Sequence, residues 1–212
     1  MKVLASADLH GVRPVYDWLL ATAHKHRVDV LVLAGDLLGC LDGFKSAEAA
    51  QEYESETIVT WLDAAGVPVL YIMGNDDLVE LNSRSTRIQS IHARRIQSGD
   101  FNFVGYQYSL PFMGGIFERP EEHIRADLVS LSSLMDANTV FVSHSPAQGV
   151  LDPGLGDARI GSRSVREFLT TNRFRVHIHG HSHGGFGRMG KHFNVASAGR
   201  MRAMVEIGRA HV

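Results

Sequence analysis

Leu31-Val32-Leu33-Ala34-Gly35-Asp36 is a fully apolar run closed by a glycine and a carboxylate, and it reads as a β-strand that delivers Asp36 at its end. Four more runs repeat this arrangement. Lys2–Ala7 leads into Asp8-Leu9-His10, Pro68–Met73 into Gly74-Asn75-Asp76-Asp77, Thr139–Ser143 into His144, and Arg175–His179 into Gly180-His181-Ser182-His183. With the first strand taken as Asp29–Ala34, all five send carboxylate, amide and imidazole groups to the same ends of neighbouring strands. Oxygen ligands mixed with imidazoles suit Mn, Fe, Zn or Mg better than a soft-metal or iron–sulfur site, with Mn the first choice. Two divalent cations a few Å apart are a recurring device for displacing an oxygen at phosphorus.

Helical signals separate these strands. Pro14 lies one residue inside a helix whose Val15, Trp18, Leu19 and Thr22 follow i, i+3, i+4, i+7 spacing. A second helix runs from about Ser46 to Ala65, with Ile58, Trp61, Leu62 and Ala65 as its stripe and Gly66 and Pro68 as its stop. A third opens at Pro120-Glu121-Glu122 and aligns Ile124, Leu128, Leu131 and Met135. A fourth starts at a capping box, Ser164-x-x-Glu167, and buries Val165, Phe168 and Leu169. Beyond residue 90 the rhythm changes, and Ile91–Arg95, Phe101–Gln107, His192–Ser197 and Ala203–Ile207 read as short antiparallel strands. The alternation implies an α/β fold. A four-layer α-β-β-α sandwich, two mixed sheets flanked by helices, accommodates both halves in a single domain over residues 1–212, without linker or internal repeat.

Composition bounds the function. A chain of 212 residues, 44% hydrophobic and 21% charged, holds one substantial core and no large cap beside it. A net charge of −2 supplies no global field for nucleic acid or an anionic membrane, which argues against a nuclease. The four arginines between Arg84 and Arg95 read as a solvated face. The single Cys40 excludes an internal disulfide and fits a reducing compartment; its expected role is a small apolar filler in the loop after Asp36. No apolar run approaches the roughly 18 residues that span a bilayer. Met1–Ala7 runs straight into Asp8 and reads as a strand rather than a signal peptide, so a cytoplasmic location is expected. The expected partner is a small phosphoester substrate, and nothing in the sequence specifies an oligomeric state.

The order and spacing of the islands resemble the calcineurin-like metallophosphoesterase superfamily, from residue 4 to about residue 199. Its pattern is Asp-x-His, Gly-Asp, Gly-Asn-His-Asp/Glu, a lone His after a strand, then Gly-His-x-His. One position departs: Asp76 stands where the pattern has His. The run Ser143-His144-Ser145-Pro146-Ala147-Gln148-Gly149-Val150-Leu151-Asp152 looks most like the small, cap-free members. The resemblance implies two divalent cations per chain. Asp8, His10 and His183 would bind the first, Asn75, His144 and His181 the second, and Asp36 would bridge them. For Asp8 and His10 to reach one ion the chain must turn at Leu9 or just after, and Gly11 permits such a turn.

The same resemblance implies in-line attack at phosphorus by a hydroxide between the metals, with no Ser or Cys nucleophile. In the family the His after Gly-Asn donates a proton to the leaving oxygen. An Asp with an ordinary pKa is ionised at neutral pH and cannot donate. It also repels a phosphomonoester dianion, so phosphodiesters are expected to be preferred. Asp36 and Asp76 are therefore the candidate catalytic residues. Asn75, Arg159 and Arg163 are the candidate substrate contacts, the arginines clamping phosphate from the turn-rich loop 149–163. His177 and His179 share one face of a strand opposite Val176 and Ile178; a plain buried or surface role is the first reading, orientation of a ligand the second. The alternative to an enzyme is a weakly active or inactive metal-binding interaction scaffold on the same fold, which the change at Asp76 favours.

Overall fold

The apolar runs assemble into two sheets that face each other across a shared core. A computed structural model describes the chain over residues 1–203 and 205–206. In chain order the elements are β1 (Lys2–Ser6), α1 (Arg13–His26), β2 (Val30–Ala34), α2 (Ala47–Ala64), β3 (Val69–Ile72), β4 (Ile88–Ser90), β5 (Arg95–Ser98) and β6 (Phe101–Tyr106). There follow α3 (Glu121–Leu131), β7 (Thr139–Ser143), α4 (Arg163–Thr171), β8 (Val176–His179), β9 (Gly187–Met189), β10 (His192–Asn194) and β11 (Val205–Glu206). The first sheet has the order β11-β1-β2-β3-β4 and the second β5-β6-β7-β8-β10-β9. Parallel ladders fill both centres, and the antiparallel partners β11, β5 and β9 lie at the edges.

Three apolar layers explain why the central strands read as continuous hydrophobic runs: they are buried on both faces. Val3, Ala5, Val30, Val32, Leu70 and Ile72 face Phe101, Phe103, Val140, Val142 and Ile178 between the sheets. On the outer side of the first sheet, Leu4, Leu31, Leu33, Val69 and Tyr71 pack on Tyr16 and Leu19 of α1 and on Ile58 and Leu62 of α2. Outside the second sheet, Val104, Tyr106 and Phe141 pack on Ile124 and Leu128 of α3 and Val165 and Phe168 of α4. The result is the expected α-β-β-α sandwich. Its registers, such as Val3 with Val30 and Val140 with Val176, align the carboxyl ends of β1, β2 and β3 and of β7 and β8.

Several local expectations differ. Helix α4 is capped by Ser162, not Ser164: the Ser162 hydroxyl accepts from Val165 N at 3.1 Å. It also donates to Glu121 Oε1 at 2.6 Å, while the buried Ser164 hydroxyl donates to Glu121 O, so one residue of α3 fixes where α4 begins. Of the expected strand Ile91–Arg95 only Arg95, the first residue of β5, is in a strand; residues 91–94 are the crossing between sheets. Ile91 N donates to Tyr71 O, Ala93 N donates to Gly105 O, and strands fall on either side. β10 runs parallel to β8, and its antiparallel partner is the unanticipated β9. Of the expected strand Ala203–Ile207, Val205 and Glu206 pair with Val3 and Lys2; residues 204 and 207 lie outside the described residues. Cys40 is exposed rather than a filler. The arginines at 84, 87, 94 and 95 are exposed as expected, Arg87 pairing with Asp63 and Arg95 with Asp136. Among the described residues no helix is long and apolar enough to cross a membrane.

Candidate metal centre

The strand ends converge because the loops after β1 and β2 prolong the parallel ladder. Asp8 N donates to Gly35 O at 2.9 Å, Leu9 N and His10 N both donate to Asp36 O, and Gly11 N donates to Leu37 O. The turn expected at Leu9 or just after is made by His10 and by Gly11 (φ 67°), with Asp8 already turned before them. Asp8 (φ 56°) and His10 (φ 47°) both take the left-handed conformation, as do Asp36 (φ 52°) and His181 (φ 66°). Such a conformation costs about 1–3 kcal/mol at a non-glycine residue and persists where its surroundings over-determine it. It breaks the strand alternation, so that side chains two residues apart reach one place. Gly74 has no such φ and serves a different need. A Cβ there would collide with Asp36 Oδ1 and stand 2.7 Å from His144 Cε1.

The ligand-type atoms fall into three groups, each with its atoms within 4.8 Å of one another: Asp8, His10 and His183; Asp36, His144 and His181; and His10, Asp36 and Asp76. Asp8 Oδ1 lies 3.1 Å from His183 Nε2, and both Asp8 oxygens accept from His181 N at 3.1 Å, which ties the end of β1 to the end of β8. Asp36 and His10 each belong to two groups, so they stand between the two sets. Asn75 joins the second, its Oδ1 3.0 Å from His144 Nε2. All seven sequence-predicted ligand residues are thus brought together.

The donor set fits a cation. His144 Nδ1 lies 2.9 Å from the Ala34 carbonyl, which only accepts, so Nδ1 carries the proton. Nε2 then points at two further acceptors, Asn75 Oδ1 at 3.0 Å and Asp36 Oδ2 at 3.3 Å. Asn75 is oriented by Asp76, whose Oδ1 accepts from Asn75 Nδ2 at 2.7 Å and leaves the amide oxygen facing His144. Lone pairs converging in a buried site demand a positive charge. In the protein alone a proton fills that role: burial opposes it, but the Asp36 carboxylate raises His144 to about 10. Burial likewise opposes ionisation of Asp36, and His144 beside it wins, holding that carboxyl below the usual range. Burial and His144 push His181 down to about 4, and the bond to Asp8 holds His183 above its ordinary value.

A metal bound there would therefore compete with a proton at His144. Its folded value lies above the unfolded one, so its contribution to stability is complete below the ordinary imidazole value of about 6.5 and is lost as pH rises through about 10. Metal binding needs the neutral ring. The melting temperature of chelated protein should fall between about pH 6.5 and about pH 9, and the increment on adding Mn should grow over that range. An increment independent of pH would contradict this competition.

Behind the ligands stands a frame that sequence reasoning did not find. Asp77, fully buried, accepts from Leu37 N at 2.9 Å, Leu38 N at 2.8 Å and Gly74 N at 2.8 Å, clamping the Asp36 loop to the Asn75 loop. Helix α2 contributes Gln51, which donates to Asp76 O and accepts from Leu78 N, and Glu54, which accepts from Gly39 N. Gln51 and Glu54 carry no motif of their own; Asp77 fills the Asp/Glu position of the Gly-Asn-His-Asp/Glu pattern, which by itself assigns it no role. His177 and His179 are buried, but His177 bonds Ser143 and His192, and His179 lies 3.3 Å from Gly180 O. Neither bonds a ligand side chain. Arg159 pairs through Nη1 with buried Asp152 at 2.9 Å and is otherwise exposed, Arg163 is exposed at the first turn of α4, and neither lines the cavity of about 360 Å³ beside the donor set.

Comparison with known proteins agrees with this geometry. The sequence model described as calcineurin-like phosphoesterase matches residues 1–185. No curated protein matches the sequence significantly. Among solved structures, one crystal structure superposes with a TM-score of 0.72 at 18% identity, covering 92% of this chain and 89% of the other. The protein TT1561 of Thermus thermophilus gives 0.67 at 17% identity, over 92% and 87%. A dimetal phosphatase from Danio rerio gives 0.62 at 15%, over 92% and 86%. At such identities these structures speak for the fold, while the sequence model, spanning most of the chain, speaks for descent. The chain belongs to the calcineurin-like phosphoesterase family.

Proposed function

We propose that this protein is a phosphoester hydrolase dependent on two divalent cations, with phosphodiesters preferred to monoesters. The observation that carries the reading is the convergence of His144 Nε2, Asn75 Oδ1 and Asp36 Oδ2 on one point, beside a second set made of Asp8, His10 and His183. When bound, the cations would activate a water for in-line attack and neutralise the non-bridging phosphate oxygens. Asp36 would hold both cations, Asp8, His10 and His183 one, and Asn75, His144 and His181 the other; Mn is the favoured ion. The Ala34 carbonyl keeps the His144 proton on Nδ1, and Asp76 keeps the Asn75 oxygen turned inward.

Asp76 also bears on specificity. Burial and the neighbouring Asp36 hold its carboxyl above the usual range in the protein alone, and cations bound nearby act in the opposite direction. Ionised, Asp76 supplies no proton to a leaving oxygen, a contribution that a positioned acid typically makes at about 10²–10⁴-fold. The Mn-loaded protein should therefore hydrolyse aryl phosphodiesters, lose that activity with chelator, and depend steeply on leaving-group pKa. Asp76→His should accelerate poor leaving groups much more than good ones. Wild-type protein that cleaves alkyl monoesters as fast as aryl diesters would sink this assignment of Asp76. Bound metal with no turnover of any ester would instead favour an interaction scaffold, the reading that Asp76 at the family's His position supports.

A further inference from the structure

We infer that the phosphoester taken by this site carries a single phosphoryl group and an apolar group, aromatic or alkyl, that lies against Phe112 and Leu155. This rests on the hydrolase reading and names its substrate class.

The cavity beside the donor set has two unlike walls. One is polar, with Asp36, Asn75, Asp76, His181 and His183; the other is Phe112, Pro153, Leu155, Ala158 and Ile160. Among the described residues no lysine or arginine lines it, and Arg159 pairs with Asp152. A second phosphoryl group would thus meet no side-chain cation, and Asp76 would repel it. A volume of about 360 Å³ falls in the range of small-ligand pockets.

The apolar wall is built on anchored backbone. The Glu118 carboxylate accepts from the N–H groups of Phe112, Met113 and Gly114, each at 2.8 Å. Gly115 packs so closely on the Asn75 carbonyl that a Cβ would lie 2.6 Å from it. Across the cavity Asp152, fully buried, accepts from Gly149 N and Arg159 Nη1 at 2.9 Å, and Pro153 bridges to Arg159. Two carboxylates thus fix loops whose side chains Phe112 (67% exposed) and Leu155 (90% exposed) stand in water. An exposed leucine alone means little. Here two large apolar side chains share one cavity with the donor set, and covering them with an apolar ligand group is favourable.

The test is calorimetric binding of phosphonates to the Mn-loaded full-length protein, its metal content and its hydrolysis of an aryl diester measured on the same sample. Methylphosphonate, hexylphosphonate, phenylphosphonate and thymidine 5′-phosphate are the probes. Hexyl- or phenylphosphonate should bind about tenfold or more tightly than methylphosphonate, a discrimination ordinary for apolar pockets. The better of the two distinguishes an alkyl from an aromatic group. Leu155→Ala and Phe112→Ala, both at exposed positions that folding tolerates, should erase most of that ratio. Equal affinities, a preference for the nucleotide, or a ratio untouched by both substitutions would overturn the inference. Discriminating binding with no hydrolysis would sink the hydrolase reading alone, hydrolysis of the diester with no phosphonate binding would sink the inference alone, and neither binding nor hydrolysis would sink both.

Discussion

Asp36→Asn is expected to lower kcat/KM by on the order of 10³-fold or more, beyond the 10²–10³-fold typical of removing one electrostatic donor. The substitution keeps the shape and keeps an acceptor for Asp76 N, which Asp36 Oδ1 holds at 2.9 Å. It removes the negative charge that stands between the two donor sets. Both cations lose a ligand at once, so metal content should fall below two per chain while the far-ultraviolet circular dichroism spectrum stays that of the wild type. A variant with two metals and full turnover would mean that Asp36 does not bridge.

Asp77→Ala should produce the largest loss of stability. Three buried N–H groups, of Leu37, Leu38 and Gly74, would lose their common acceptor. An unsatisfied buried donor costs about 1–3 kcal/mol, so the total is roughly 3–6 kcal/mol after partial relaxation. For a chain of this size the melting temperature should drop by roughly 10 °C or more. Melting must be followed with chelator present, so that lost metal binding does not contribute. Asp77→Asn keeps one acceptor oxygen and should fall between the two. Wild-type stability in Asp77→Ala would show that the clamp is dispensable. Catalysis should suffer as well, because the same residue ties the Asp36 loop to Asn75.

The candidate metal ligands are legible in the sequence because each is a chemically distinctive residue placed at the end of a strongly apolar run. Strand and ligand appear together in a window of a few residues. The turn geometry is legible only just after Leu9, where Gly11 permits it; Asp8, Asp36 and His181 adopt a left-handed backbone that no local sequence rule demands of them. Residues acting across the fold are also invisible. Gln51 and Glu54 sit on an ordinary amphipathic helix and gain their roles only when α2 lies beside the loops after β2 and β3. The same holds for Glu121, which moves the cap of α4 from Ser164 to Ser162. In loop 149–163 the sequence points to arginines as substrate contacts, but buried Asp152 engages Arg159, and the residues facing the cavity are Pro153, Leu155, Ala158 and Ile160.

Metal stoichiometry tests the central claim most directly. Chelated protein dialysed against Mn and assayed for bound metal should take up two ions per chain, with turnover of an aryl phosphodiester appearing only as the second site fills. Asp36→Asn should not reach two. Uptake of no ion, or full turnover with one ion or none, would contradict the dinuclear site built from Asp8, His10, Asp36, Asn75, His144, His181 and His183.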